Sequence, residues 1–293
     1  MSKASQALSR TFGLVVPNRI TEGITHRQLA VLLREAASEA ESIALFYTDG
    51  INSMSQQIRG MQFRQVTGGL RGVSTELWNG TGRIIKAGEY TMADIAAEQS
   101  LDLSLLSGLP QNAVDQLVPY LHYEAAQAVD DIISHRTNGF TLADRIYANG
   151  RVSTKQVGRI VDKALAQQLS AKELAKQVRG FYHPDVPGGS SYAAMRLART
   201  EINNAHHHTT MRLSQNMPWV TGFKWNLSSS HPKPDECDVL AGRGMFKKDD
   251  PPSRPHPQCL CYVTHMYVDD EEFASNIVNG KYDKYMEDRG VTC

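Results

Sequence analysis

The sequence predicts a mainly α protein of the α+β class: a helical N-terminal half, a long central helix, and a small C-terminal β unit carrying a Cys/His cluster. Three observations predict it. Apolar residues recur at spacings of three and four through the first half and the central stretch. Near residue 219 the pattern changes to β-branched and aromatic residues in partial alternation. All four cysteines, Cys237, Cys259, Cys261 and Cys293, lie beyond that change.

Taken in order, "THRQLAVLLREAASEAESIALFY" sets Leu29, Leu32, Leu33, Ala36, Ala40, Ile43 and Leu45 close to one stripe, with Thr25 as the expected cap. The stretch "VTGGLRGVSTELWNGTGRIIKAGEY" holds six glycines and reads as a loop or exposed arm. A helix is expected to restart at Thr91, with Asp94 at the capping-box position, and to end at the Gly108–Pro110 breaker. Residues 111–135 form a long helical pattern with Pro119 inside it, where a kink or break is expected. Two shorter helices carry their own start signals, Ser153 with Gln156 and Ser170 with Glu173. "HPDVPGGSS" is a loop, and the helix it launches runs until Pro218. "WVTGFKWNLS" and "CYVTHMYV" read as strands separated by a loop region dense in Pro, Gly and Asp. The acidic tail reads as an amphipathic helix. The expected division is a helical N-terminal region at 1–138, a second domain at 139–268, and the tail at 269–293.

Length and composition are those of a folded chain with room for a sizeable core. No apolar run is long enough to span a bilayer, and "FGLVV" near the start is too short for a secretory signal. The expectation is therefore a reducing cytoplasm, no membrane partner, and Cys/His clusters that serve metal before disulfides. Net charge is zero, yet residues 151–224 hold eleven Lys/Arg against four Asp/Glu, and residues 265–293 hold seven acidic against three basic residues. Such asymmetry fits contact with a charged partner, contacts between the segments, or ordinary solvated helix faces.

The late cluster supplies His231, Cys237, His256, Cys259 and Cys261 as candidate metal ligands. His256 and Cys259 have the spacing at which one turn can aim both side chains at an ion, and strand alternation sends Cys261 to the face of Cys259. One more ligand from the 231–237 loop would close a tetrahedral structural shell. Buried reduced thiols and a disulfide formed outside the cell are the alternatives. On the long helix, "RTEINNAHHHTT" invites a catalytic or metal reading. Consecutive helical residues point about 100° apart, so at most two of the three histidines could share an ion. Hydrogen-bonded or solvated histidines are expected there. No phosphate cradle, nucleophile elbow or paired carboxylate at a recognisable spacing is found, and the chain reads as non-catalytic.

"RLARTEINNA", then "CDVLAGRGMF", then "DDPPSRPHPQCLC" together resemble the phage Mu F-like head morphogenesis family of minor capsid proteins. Arg199, Thr200 and Glu201 match its Arg-Thr-Glu helix. Cys237, Leu240 and Gly242 match its middle motif; Pro251, Pro252, His256, Pro257, Cys259 and Cys261 match its Pro-rich run ending in H-P-x-C-R-C. The resemblance covers about residues 140 to 266. The chain departs from the pattern at Pro234, where the family has a cysteine, and at Leu260, where it has an arginine. That leaves Cys237, His256, Cys259 and Cys261 as a Cys3His set for structural zinc, with His231 as substitute or spectator. The resemblance implies a virion component in the capsid interior at the portal vertex, acting in head assembly and in DNA packaging or delivery. Its implied partners are the portal protein and major capsid protein, with packaged double-stranded DNA a further candidate. Two competing readings are a metal-dependent nuclease or hydrolase using the His-rich helix and Glu201, and a cellular DNA-binding protein with structural zinc.

Overall fold

A computed structural model describes residues 25–50, 55–106, 109–135, 139–228, 231 and 233–291. The "FGLVV" stretch, Gly108 of the expected breaker and Cys293 lie outside the described residues. The described residues form α1 (His26–Thr48), α2 (Gln56–Leu106), α3 (Gln111–Ser134), α4 (Leu142–Ala166), α5 (Ala171–Tyr182) and α6 (Gly189–Asn216). There follow β1 (Val220–Asn226), α7 (Glu236–Gly242), β2 (Met245–Lys247), β3 (Tyr262–Tyr267), α8 (Asp270–Val278) and α9 (Asp283–Glu287). The chain is mainly α with one small antiparallel sheet, in the strand order β2-β1-β3. Two compact units divide it. The first joins residues 87–133 to 199–293, and the second joins 23–86 to 134–198, each with its own core.

In the second unit, α1, the first half of α2, α4 and α5 bury Leu33, Leu70, Val73, Leu77, Val157, Val161, Leu174 and Val178. The glycine-rich stretch expected to be a loop is helix. Several of its glycines are contact points rather than breakers: a Cβ on Gly69 would lie 2.9 Å from Ile43, and one on Gly80 would lie 2.8 Å from Leu32. Close approach of α1 lets that packing outweigh the intrinsic cost of about 1 kcal/mol per helical glycine. Thr91 is accordingly mid-helix, its hydroxyl donating to the carbonyl of Ala87, and Thr25 makes no side-chain cap. Helix α4 starts earlier than expected, at a capping box formed by Thr141 and Asp144. The Ser170–Glu173 box at the start of α5 is present as expected. Ser153 instead lies buried within α4. Its hydroxyl joins a polar thread that runs from Tyr182 through Ser74 and Ser153 to Ser190, where the Trp78 indole N–H also donates. Burial pushes the Tyr182 phenol up to about 12, so it serves as a neutral donor and acceptor.

In the first unit, β1 is the central strand. Lys224 faces out while Phe223 and Trp225 face in, and an irregularity between Val220 and Gly222 explains why the alternation in sequence is only partial. Gly222 is required by contact: a Cβ there would lie 2.3 Å from the carbonyl oxygen of Phe246 on β2. The acidic tail forms α8 and α9, which enclose Trp219 with Phe273, Tyr282 and Tyr285 at ring separations of 5.9, 5.6 and 5.1 Å. Helix α3 passes through Pro119 without a break. The proline is on the exposed side, where water can serve the carbonyl it leaves without a helical partner. Buried residues also include Glu201, Asn203, His206 and His207, so this part of α6 is an interior helix despite its polar sequence.

Candidate metal centre

The loop after β1 carries His231 and ends at Asp235, which caps α7. Asp235 accepts from the Cys237 amide at 2.7 Å, while the Asp238 carboxylate accepts from the Asp235 amide at 2.8 Å. This reciprocal box fixes Cys237 in the first turn of α7. The Pro-rich run from β2 then returns His256 and Cys259 to the same place. Gln258 adopts a left-handed backbone conformation, φ 60°, and its amide donates to the Thr200 hydroxyl at 3.1 Å. Half-buried Arg254 donates to the carbonyls of Cys259 and Cys261, which fixes the segment between them.

The result is three overlapping triplets of ligand atoms, each within 4.8 Å: His231 with Cys237 and Cys261, Cys237 with His256 and Cys259, and His231 with Asp235 and Asp238. All five sequence-derived candidates are therefore brought together, with Cys237 shared. A Cys/His cluster that could hold a metal ion is present. Cys237 Sγ lies 3.4 Å from Cys259 Sγ and 3.4 Å from His256 Nε2, and Cys261 Sγ lies 3.8 Å from His231 Nδ1. A tetrahedral ion with metal–sulfur bonds near 2.3 Å and metal–nitrogen bonds near 2.0 Å separates its donors by about 3.5–3.8 Å. The three cysteines are buried free thiols, so the donors stand at ligand spacing rather than at bonding distance.

Both histidines are oriented from behind. His231 donates through Nε2 to Asp238 at 2.9 Å, which leaves the Nδ1 lone pair facing Cys261. His256 has Nδ1 against the Pro257 carbonyl at 3.0 Å, leaving Nε2 toward Cys237, with an Asp235 oxygen 3.1 Å from the same nitrogen. The sulfurs share protons unequally. Cys259 ionises first, held low by the hydrogen bond from Cys261 and by the Arg254 charge; burial pushes Cys237 up, and the bond to Cys259 raises Cys261. The Ser228 amide donates to Cys261 Sγ at 3.4 Å and supports negative charge there as well. A dication is the group that would let all three sulfurs ionise together.

Among the described residues, none of the ligand triplets includes His206, His207 or His208. His206 bonds to Gln99 at 3.1 Å, His207 packs edge-on against Trp225, and His208 is exposed. Burial lowers the His206 imidazole to about 4 and drives His207 well below its ordinary value, so both are neutral. Sequence reasoning missed Asp235, Asp238 and Arg254. The D-x-x-D spacing of the two aspartates is a readable cap signal, whereas nothing around Arg254 announces its role.

No family model, curated protein or solved structure matches the chain. What fold and site define is a mainly α protein whose small antiparallel sheet is bordered by a Cys/His cluster of ligand geometry. No helix among the described residues is long and apolar enough to cross a membrane.

Proposed function

We propose that this chain is a structural, non-catalytic minor capsid protein of a tailed phage, acting at the portal vertex in head assembly and in DNA packaging or delivery. The observation that carries the reading is the convergence of the three resembling motifs. Thr200 of the Arg-Thr-Glu helix holds the Gln258 amide, and Cys237 of the middle motif meets His256 and Cys259 of the last. The three motifs thus meet in one place, which supports reading them together. Zinc is the metal this thiolate-rich donor set suits, through three cysteines and one of the two histidines. Its contribution is a crosslink that ties the loop, α7 and the start of β3 together, because a three-stranded sheet this short has little stability of its own. Glu201 is 2% exposed, which fits a core position on α6 better than a general base working in solvent.

Portal and major capsid proteins are the partners this reading names, and the head interior is its location. Mass spectrometry of purified mature virions and of the portal rings extracted from them tests it. The chain is expected in both, at a few copies per portal ring. Absence from virions would overturn the assignment. DNA cleavage by the purified protein with a divalent metal, lost in Glu201→Gln, would establish the hydrolase reading instead.

A further inference from the structure

The zero net charge of the chain conceals a division between its units. The second unit, residues 23–86 and 134–198, carries 17 Lys/Arg against 9 Asp/Glu, and residues 87–133 with 199–293 reverse this with 11 against 21. Part of the surplus is concentrated along one groove of about 1000 Å³ between the first half of α2 and α4. Arg71, Arg83 and Lys86 line it from α2, and Arg151, Lys155 and Arg159 from α4. Asp162 is the one carboxylate among the lining residues. All six cations are exposed, and none makes an ion pair among the described residues.

Glycines shape this groove. Gly82 and Gly150 bring the helices together, since a Cβ would lie 2.9 Å from Ile146 at the first and 3.5 Å from Trp78 at the second. Gly158, also in the lining, has nothing within 4 Å of where a Cβ would stand, so the groove stays open there. Arg151, Lys155 and Arg159 recur every fourth residue, about 6 Å apart along α4. Like charges at that spacing cost a helix a few tenths of a kcal/mol per pair. No ion pair among the described residues relieves them, which marks the row as one that an external anion would complete.

We propose that this groove binds the phosphodiester backbone of a nucleic-acid strand without regard to sequence. Three features select that ligand. The α2 cations stretch over about 22 Å, from Arg71 to Lys86, which suits an extended chain of single charges and not a compact anion. Concavity excludes a flat lipid surface from meeting both walls together. Tyr147 is 67% exposed with the Arg151 guanidinium 4.9 Å from its ring centre, which offers a base a stacking surface beside its phosphate. Single strands, whose bases are free to reach Tyr147, bind more tightly than duplexes. The proposal stands on the second unit alone and does not depend on the capsid reading.

Fluorescence anisotropy of the full chain with labelled oligo-dT, with a duplex of mixed sequence, and with phosphatidylserine vesicles in a parallel sedimentation assay tests it. The triple variant Arg151→Ala/Lys155→Ala/Arg159→Ala should lose at least tenfold in affinity for oligo-dT. Its salt dependence should flatten by about two units of slope, from three lost contacts at about 0.7 each. A control, Lys163→Ala/Lys172→Ala/Lys176→Ala, should retain wild-type affinity, with circular dichroism verifying that both variants are folded. Groove-dependent duplex binding with the same loss supports the backbone site and removes only the preference for single strands. Absence of nucleic-acid binding, equal losses in groove and control variants, or groove-dependent capture of vesicles without oligonucleotide binding would overturn the proposal.

Discussion

Cys237 illustrates how single residues carry this molecule: its sulfur belongs to both cysteine-bearing ligand triplets, and its amide is held by Asp235. His206 and His207 of α6 show the opposite fate of a tempting residue, since they are buried in the core. That burial has a measurable consequence. Because the folded state of His206 binds its proton only near pH 4, whereas an unfolded histidine binds it near 6.5, the unfolded state gains protons as pH falls through that interval. Stability contributed by neutral His206 is complete above about pH 6.5 and drops on the order of 3 kcal/mol by pH 4. Urea unfolding across this range, with metal chelated so that its ligands do not enter, should show the drop in the wild type and a shallower one in His206→Gln. Equal slopes for the two proteins would contradict the buried neutral ring. The five ligand candidates were legible in sequence because thiols and imidazoles are rare and their spacing is short. Arg254 was not, because its partners are the Cys259 and Cys261 carbonyls, which leave no mark on composition.

At the scale of elements, periodicity located most helices and both long strands, and cap chemistry located the start of α5. It failed where glycine was read through its intrinsic preference alone. Gly69, Gly80 and Gly82 of α2 are sites where α1 and α4 approach, a tertiary cause invisible in any local window. Similarly, Ser153 with Gln156 imitates a helix start, but the true start is the earlier Thr141–Asp144 box, and Ser153 meets Ser190 instead. Two glycines separate the competing effects. Gly72 lies inside α2 with nothing within 4 Å of the position a Cβ would take, so Gly72→Ala should stabilise by roughly 0.5–1 kcal/mol. Gly222 faces the Phe246 carbonyl, so Gly222→Ala should force β2 away and cost about 1–3 kcal/mol. Denaturant midpoints of the two variants check both signs; a stabilised Gly222→Ala would show that β2 is not held against β1 as described.

For the whole molecule, the charge division and the Cys/His cluster fall in different units: the proposed anion groove in one, the sheet with its candidate metal site in the other. The central claim is that the crosslink is a metal ion. Purified protein, prepared without added metal and exchanged into buffer free of it, should contain about one equivalent of zinc by plasma mass spectrometry. Cobalt exchange should give the visible absorption of a tetrahedral thiolate site. Cys259→Ala should lose both the metal and several degrees of thermal stability. A folded wild type with no bound metal, melting at the same temperature with and without chelator, would contradict the account.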